Sequence, residues 1–182
     1  SNNRISGNNI ANNIDGICIN SSSGNNIDGN NIEANNHYGI SLSYSSNNNI
    51  YGNTIANQLW GAGSSGGIFL DSCSDNRIST NSLTNNSDGI ELWDSSNNSV
   101  FKNHIANSEL GTILWDSSNN TFYHNNFIDS LWQVWIPGGT STNVWDDGYP
   151  SGGNYWSDHA CVGNPSNGSQ PYIIDENNID HY

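Results

Sequence analysis

The sequence has little of what most folded domains contain. Its 182 residues include no methionine, only three lysine or arginine residues against 17 aspartate or glutamate residues, and 33% hydrophobic residues. The net charge of −14 argues against nucleic acid as a partner, disfavours anionic polysaccharides, and favours cations. No run of 18 apolar residues occurs, so no membrane insertion is expected. This composition is typical of an extracellular or cell-surface protein.

Proline and cysteine are also scarce. All four prolines fall after residue 136. The three cysteines cannot all pair within one chain. Cys73 falls in a column of serines and is predicted to face the core, Cys18 is predicted to face outward, and Cys161 lies near the C-terminus. An intermolecular disulfide therefore stays open as a hypothesis.

Asparagine, in contrast, recurs at intervals of about 22 residues, and an apolar residue stands two positions after each one. The single long interval, 28 residues from Asn48 to Asn76, indicates a loop inserted over Gln58–Gly66. The first amide row is Asn3, Asn25, Asn48, Asn76, Asn98 and Asn120, and the second amide row is Asn8, Asn30, Asn53, Asn81, Asn103 and Asn125.

These rows predict an all-β fold, a right-handed parallel β-helix of about six three-strand coils with an irregular C-terminal cap. Apolar residues alternate with the period of a strand, and a repeat of this length is the signature of a solenoid. Stacking coils at roughly 4.8 Å lets each buried amide bond to the amides above and below it. A helical solenoid is the alternative, but the spacing of two argues against it.

The coils are predicted over residues 1–136 and the cap over residues 137–182, where no row is apparent. The cap covers the last coil, whose strand edges would otherwise pair with another chain. Ser1 already lies inside a repeat, so we expect a processed product or a fragment. We expect its first coil to meet either upstream coils or a neighbouring subunit, by end-to-end or lateral packing.

A row of glycines precedes the third strand of five repeats. Glycine adopts a positive φ without steric cost, so we expect a left-handed backbone at these corners. The glycine row is Gly16, Gly39, Gly67, Gly89 and Gly111.

The repeats SSSGNNIDGNNI, SYSSNNNIYGNTI and WDSSNNSVFKNHI resemble those of the NosD-like, carbohydrate-binding and sugar-hydrolase group of parallel β-helices. The string NVWDDGYPSGGNYWSDH is similar to the C-terminal segment of archaeal cell-surface proteins with such repeats. The resemblance covers nearly the whole chain and implies the fold, a surface location and glycans as ligands. Relatives carry a calcium-loop-like run where this chain has residues 160–170, which weakens the expectation of a metal there.

The NosD-like group is also associated with copper. Copper favours Cys, Met and His ligands. This chain has no methionine, and its five histidines are scattered without ligand spacing. Copper binding is therefore not expected from the sequence.

Two groups of side chains are candidates for lyase, epimerase or hydrolase chemistry. The basic group places Lys102 and His124 in one column, with His104 two residues after Lys102. Lyases of this architecture generally use a basic side chain, so the three could act together if they converge. The alternative is a solvated outer face, because repetition alone produces such columns.

The acidic group consists of Glu91, Asp94 and Asp116. Asp94 and Asp116 share a column one coil apart, close to the separations at which two carboxylates hydrolyse glycosides. Glu91 lies on the strand preceding Asp94. The same alternative, a solvated column, applies here. The scarcity of bases and of a convergent group favours a protein that is not an enzyme.

Tryptophans form the most suggestive column. Trp93 and Trp115 directly follow the inward Leu92 and Leu114, so they should face outward on adjacent coils, with Trp135 or Trp132 beyond. Such a flat aromatic strip binds sugar faces by apolar contact while neighbouring carboxylates accept hydroxyl hydrogen bonds. The alternatives are burial under the tail or a subunit contact.

Carboxylates and sequons complete the candidates. Asp146, Asp147 and Asp158 lie among Gly-rich turns of the tail and are hard oxygen ligands suited to Ca²⁺; the alternative is solvated acidity. Exposed Asn-x-Ser/Thr sequons are acceptors for glycosylation. The five sequons are at Asn20, Asn85, Asn97, Asn119 and Asn167.

Three functions follow from the sequence. The favoured one is a non-catalytic extracellular or cell-surface structural β-helix that assembles into a fibre or surface layer. The second is a carbohydrate-binding module that uses the tryptophan column. The third is a polysaccharide lyase, epimerase or hydrolase.

Overall fold

The chain folds into six coils of three short parallel strands, followed by a cap. The computed structural model describes residues 1–58, 65–139, 141–160, 167 and 169–182. Most of the loop predicted over Gln58–Gly66, together with Cys161, lies outside these described residues. The predicted all-β parallel β-helix of about six coils is confirmed.

The strands of the six coils are each three to six residues long. They are β1 (Arg4–Ser6), β2 (Asn9–Ala11), β3 (Ile17–Asn20), β4 (Asn26–Asp28), β5 (Asn31–Glu33), β6 (Tyr38–Ser43), β7 (Asn49–Tyr51), β8 (Thr54–Ala56), β9 (Gly66–Asp71), β10 (Arg77–Ser79), β11 (Ser82–Thr84), β12 (Asp88–Trp93), β13 (Ser99–Phe101), β14 (His104–Ala106), β15 (Leu110–Trp115), β16 (Thr121–Tyr123), β17 (Asn126–Ile128) and β18 (Trp132–Trp135). The cap adds a 3-10 turn (Pro137–Gly139), β19 (Tyr155–Trp156), β20 (Tyr172–Asp175) and β21 (Asn178–Asp180).

Strands of successive coils stack into three parallel sheets. Sheet 1 has the order β1-β4-β7-β10-β13-β16, sheet 2 runs from β2 to β17 and ends on β19, and sheet 3 has the order β3-β6-β9-β12-β15-β18. Like residues pair in register, for example Ile27 with Ile50 and Ile78 with Val100. These apolar side chains are fully buried and form one continuous core.

The amides of both rows lie over one another along the axis. Asn48 Nδ2 donates to Asn76 Oδ1 at 3.0 Å, and Asn76 Nδ2 donates to Asn98 Oδ1 at 3.0 Å. The backbone N–H of Asn48 bonds to the same Asn76 oxygen, and Asn76 Nδ2 also reaches the Ser45 carbonyl one coil back. Each buried amide is thereby satisfied without water.

A third amide row, absent from the sequence prediction, supports the turn between sheets 2 and 3. Asn13 Nδ2 bonds to Asn35 Oδ1 and Asn35 Nδ2 to Gln58 Oε1, while the Gln58 backbone N–H bonds to Asn86 Oδ1. The glutamine keeps the row continuous because its amide presents the same donors and acceptor as asparagine.

The cap is more regular than the sequence predicted, because the amide rows continue into it. Asn120 Nδ2 bonds to Asn143 Oδ1 at 3.0 Å, and Asn125 Nδ2 bonds to Asn154 Oδ1 at 2.9 Å. The second row then ends on a carboxylate, since Asn154 donates to Asp180 Oδ2 from both its backbone N–H and its amide.

Aromatic stacking fastens the cap to the last coil. Trp145 stacks on Phe122 and Trp156 stacks on Phe127, each with ring centroids 4.4 Å apart. Tyr172 stacks on the other face of Trp156 at 4.1 Å. The two tryptophans occupy the positions that smaller apolar residues fill in the coils, and they close the core.

The glycine row has a different cause from the one predicted. None of its five members adopts a positive φ. At Gly67 a Cβ atom would lie 2.6 Å from Leu83 Cδ2 and 2.7 Å from the Gly89 carbonyl oxygen. Close approach of backbone between coils, rather than left-handed geometry, therefore requires glycine here. The left-handed corners are instead occupied mostly by Asn, Asp, Ser and other non-glycine residues.

The serine column behaves as a short ladder. The Cys73 sulfur accepts a hydrogen bond from the Ser45 backbone N–H at 3.4 Å. The Cys73 backbone N–H in turn donates to Ser95 Oγ at 3.0 Å. Burial raises the pKa of the Cys73 thiol. Cys73 is buried and Cys18 is exposed, as predicted.

Within the part of the chain that the structure describes, no helix has the length and hydrophobicity needed to cross a bilayer.

Candidate functional site: a tryptophan cleft on sheet 3

Sheet 3 carries the longest strands, and its outer face holds the site. In β12 the side chains of Ile90 and Leu92 enter the core, so Glu91 and Trp93 lie on the opposite face. The next coil places Ile113 beside Glu91 and Trp115 beside Trp93. Short-range alternation and register thus bring aromatic and acidic side chains together.

Three exposed tryptophans line this face on consecutive coils. The exposed fractions of Trp93, Trp115 and Trp135 are 38%, 45% and 43%. Trp93 and Trp115 have ring centroids 6.0 Å apart with planes tilted by 42°, and Trp115 and Trp135 are 6.3 Å apart at 82°. Trp135 pairs with Ile113 rather than with Trp115. The arrangement is therefore an angled cleft instead of the predicted flat strip.

The cleft has a volume of about 240 Å³. We call it the tryptophan cleft, defined by Trp93, Trp115 and Trp135 together with Asp88, Glu91 and Glu109. Ser87, Leu110 and Ile113 complete its lining. None of these described lining residues is Lys, Arg or His, so every ionisable group in the cleft is an acid.

Glu91 lies at the base of the cleft with only 1% of its surface exposed. It is flanked in register by Phe69 and Ile113, and Tyr38 donates a hydrogen bond from its hydroxyl to Glu91 Oε2 at 3.1 Å. Burial is the main cause that raises the pKa of Glu91 to about 9, and the neighbouring Asp88 carboxylate raises it further. Glu91 is therefore a neutral acid at pH 7.

Asp88 is the hydrogen-bonding partner of Glu91. Burial raises the pKa of Asp88, the hydrogen bond from Glu91 lowers it, and the charge of Glu109 raises it again. We assign the shared proton to Glu91, because the more deeply buried carboxyl loses more hydration on ionising. The pair then carries one negative charge, and Glu109 adds a second negative charge at the rim of the cleft.

The cleft offers two kinds of contact to a ligand. The tryptophan faces supply apolar contact, and the acids supply hydrogen-bond acceptors. The proton that Glu91 holds is already engaged with Asp88.

The other acidic candidates lie outside the cleft. Asp94 and Asp116 follow Trp93 and Trp115 at exposed corners, and each has a φ of 46°. The Asp94 backbone N–H bonds to the Trp115 carbonyl at 3.0 Å. Of the predicted acidic group, only Glu91 lines the cleft.

The basic candidates lie away from sheet 3. Lys102 and His124 occupy equivalent left-handed corners between sheets 1 and 2, and His104 lies on β14 of sheet 2. His124 Nε2 is 3.0 Å from the Ser151 carbonyl oxygen of the cap. The structure therefore separates the basic group from the acids of the cleft, and a role for it in catalysis stays a prediction.

The predicted calcium ligands each have a partner within the cap. Asp146 pairs with His181 at 3.0 Å, Asp147 accepts from Ser151, and Asp158 accepts from Tyr172. No group of three or more His, Cys, Asp or Glu side chains suited to a metal ion occurs among the described residues. Calcium binding stays a prediction.

The asparagines of the five predicted sequons are all exposed, and their glycosylation stays a prediction. They are Asn20, Asn85, Asn97, Asn119 and Asn167.

Sequence reasoning missed Tyr38, Asp88 and Glu109 as members of the site. Tyr38 contacts Glu91 across 53 residues and two coils, a separation that comparison of adjacent repeats does not reveal. A usable signal was present for Asp88, which directly precedes the glycine row just as Tyr38 does. Acids at that position of the repeat lie beside the outward residues of the third strand.

Fold and cleft together define this chain as a parallel β-helix with an acidic aromatic cleft on one sheet. Residues 56–161 match the family described as periplasmic copper-binding protein (NosD), and residues 1–65 match the right-handed β-helix region. The chain belongs to the NosD family. A search of curated proteins found no match.

Two solved structures are similar to this chain. A double mutant of the periplasmic alginate epimerase AlgG is 20% identical with a TM-score of 0.56, over 80% of this chain and 39% of that chain. The mannuronan C-5 epimerase AlgE6 A-module of Azotobacter vinelandii is 15% identical with a TM-score of 0.43, over 77% of this chain and 38% of that one. The chain thus spans about two fifths of each, and the likeness to AlgG shows the fold alone.

The family description names copper, and the described residues do not fit a resident copper ion. Copper favours Cys, Met and His ligands. His37 pairs with Asp15, His181 with Asp146, and the ring of His159 with a backbone carbonyl. The chain has no methionine, and the described part of it gathers no three metal-ligating side chains.

Proposed function

We propose that this NosD-family β-helix is a carbohydrate-binding protein that works outside the cytoplasm and holds a glycan in the tryptophan cleft. The observation that carries the proposal is the row of exposed Trp93, Trp115 and Trp135 on consecutive coils, with carboxyl groups at its base. Amphipathic rings with an exposed face are costly in water and favour a ligand with an apolar face.

The groups that line the cleft match those of a sugar. A sugar ring presents C–H groups on its faces and hydroxyls at its edge, which match the tryptophan faces and the acidic acceptors. Asp88 and Glu109 offer carboxylate oxygens that accept hydrogen bonds from the sugar hydroxyls.

The location follows from the family and the composition. The matched family is described as periplasmic, and the chain is acidic and free of methionine. A place at the cell surface is the finer form of this proposal. Labelling of intact cells with an impermeant reagent tests it, and protection of the protein until lysis would contradict it.

The binding test compares two single substitutions. Trp115→Ala removes the central ring of the cleft, whereas Trp132→Ala removes a more exposed ring on β18 that lies outside the cleft lining. Titration of glycan oligomers, followed by tryptophan fluorescence and calorimetry, should show at least a tenfold weaker affinity for Trp115→Ala and wild-type affinity for Trp132→Ala. Equal affinities for the two variants, or no binding of any glycan by the native chain, would overturn the proposal.

A further inference from the structure

The cleft combines two features that select the same kind of ligand group. Its walls are tryptophan faces, which attract cations within about 6 Å of the ring centroid. Its base and rim are the acids Asp88, Glu91 and Glu109, with no basic side chain among the described lining residues. We infer that the tryptophan cleft is selective for glycans that carry protonated amino groups, with the Asp88–Glu91 pair as the receptor for the ammonium.

Charge decides between the classes of glycan. A carboxylated sugar would bring a negative charge against Asp88 and Glu109 without any cation to offset it. A neutral sugar meets no repulsion but leaves the negative charge of Asp88 uncompensated. An ammonium near the pair is attracted by both the acids and the ring faces, and the wider charge of −14 also attracts cations.

The acid pair provides a second, distinguishable signature. The groups that face Glu91 are Asp88 on its own strand and Tyr38 from β6, while β9 and β15 contribute the apolar Phe69 and Ile113. Glu109, before β15, acts on Asp88. Glu91 keeps its proton because it is buried and lies beside the Asp88 carboxylate. An ammonium placed beside the pair favours the ionised form, so the proton leaves Glu91 for solvent as the amine binds.

This inference rests on the proposed glycan binding and narrows its ligand. The test titrates the native chain with glucosamine oligomers, with N-acetylglucosamine oligomers of equal length, and with mannuronate oligomers, at a pH where the amines are charged. We expect the amine form to bind at least ten times more tightly than the acetylated form, and the mannuronate form to bind most weakly. Calorimetry in two buffers of different ionisation enthalpy should show proton release with the amine form alone.

Glu91→Gln supplies the matched variant, since glutamine keeps the shape and hydrogen bonding of the neutral acid but cannot ionise. We expect it to lose the proton release and to retain less than about a third of the preference for amines. Glu33→Gln changes an exposed acid on sheet 2 and should keep both properties. Should Glu91→Gln fail to fold, Asp88→Asn removes the standing charge of the same pair and should abolish most of the preference.

The outcomes separate the two proposals. Equal or tighter binding of the acetylated oligomer overturns the amine inference while glycan binding in the cleft stands. Amine binding with no proton release, or with no change in Glu91→Gln, also overturns the inference. If no oligomer binds, both proposals fail.

Discussion

The buried Glu91 shows at the residue scale how one side chain couples a site to the stability of the fold. Its carboxyl is almost wholly enclosed, between Phe69 and Ile113 and beneath the tryptophans. Enclosure raises its pKa from an ordinary 4.5 to about 9. At a pH between 4.5 and about 9, Glu91 therefore holds a proton in the folded chain that it has released in the unfolded chain.

This linkage predicts a pH dependence of stability. Because the folded state binds more protons, the contribution of Glu91 is fully present below pH about 4.5 and is lost as pH rises through about 9. Glu91→Gln removes this loss, so the variant should show a flatter profile and exceed the native chain by at least about 2 kcal/mol above pH 9. Urea unfolding at several pH values measures this.

Glu33→Gln is the control for that experiment, because Glu33 is exposed on β5 and does not line the tryptophan cleft. Its unfolding profile should run parallel to that of the native chain. Parallel profiles for Glu91→Gln would contradict the assignment of the proton to Glu91.

The amide row is the unit of stability at the element scale. Asn76 accepts two hydrogen bonds from Asn48 and donates to the Ser45 carbonyl and to Asn98. Replacing it leaves several buried polar groups in adjacent coils without partners. The cost of one rung is therefore shared by three coils.

Asn76→Ala should lower the free energy of unfolding by about 3 kcal/mol or more, because each buried unsatisfied group costs about 1–3 kcal/mol. Asn31→Ala, an exposed asparagine on β5, should change it by less than about 0.5 kcal/mol. Chemical denaturation of both variants measures the difference. A similar loss for the two would mean that the buried amides do not stabilise the coils.

How far sequence predicts these elements depends on whether a residue repeats. The two amide rows were visible because identical residues recur at one interval, and they predicted the fold. The third row was missed because Gln58 interrupts its asparagines. The Asn154 rung of the cap was missed because Asn154 follows Asn125 by 29 residues rather than 22. The Asn143 rung follows Asn120 by 23 residues, so its signal was present in the sequence. The Tyr38–Glu91 bond skips a coil, so only coordinates reveal it.

The solenoid architecture governs the whole molecule, because each coil contacts only its neighbours. Removal of one complete period should therefore leave the remaining rows in register. Deleting residues 26–48 joins Asn25 to Asn49 and removes one strand from each sheet, while Glu91 and the three cleft tryptophans are retained.

The shortened chain should fold cooperatively, remain all-β by circular dichroism, and unfold at a lower denaturant concentration. Deletion of residues 26–36, half a period, moves inward residues to corners and should give no cooperative transition. If both deletions unfold alike, the repeats do not act as interchangeable coils.

One property of the amide rows concerns direction. In the first amide row, each side-chain amide from Asn25 to Asn120 donates to the next amide toward the cap and accepts from the one before it. Aligned amides add their dipoles, as peptide units do in a helix. An amide row thus has a dipole with its positive end at the cap. There the Asp180 carboxylate accepts the last hydrogen bonds of the second amide row. A molecule that packs against one end of the coils therefore meets an electrostatic field opposite in sign to the field at the other end. Its binding is thus sensitive to the orientation of the protein.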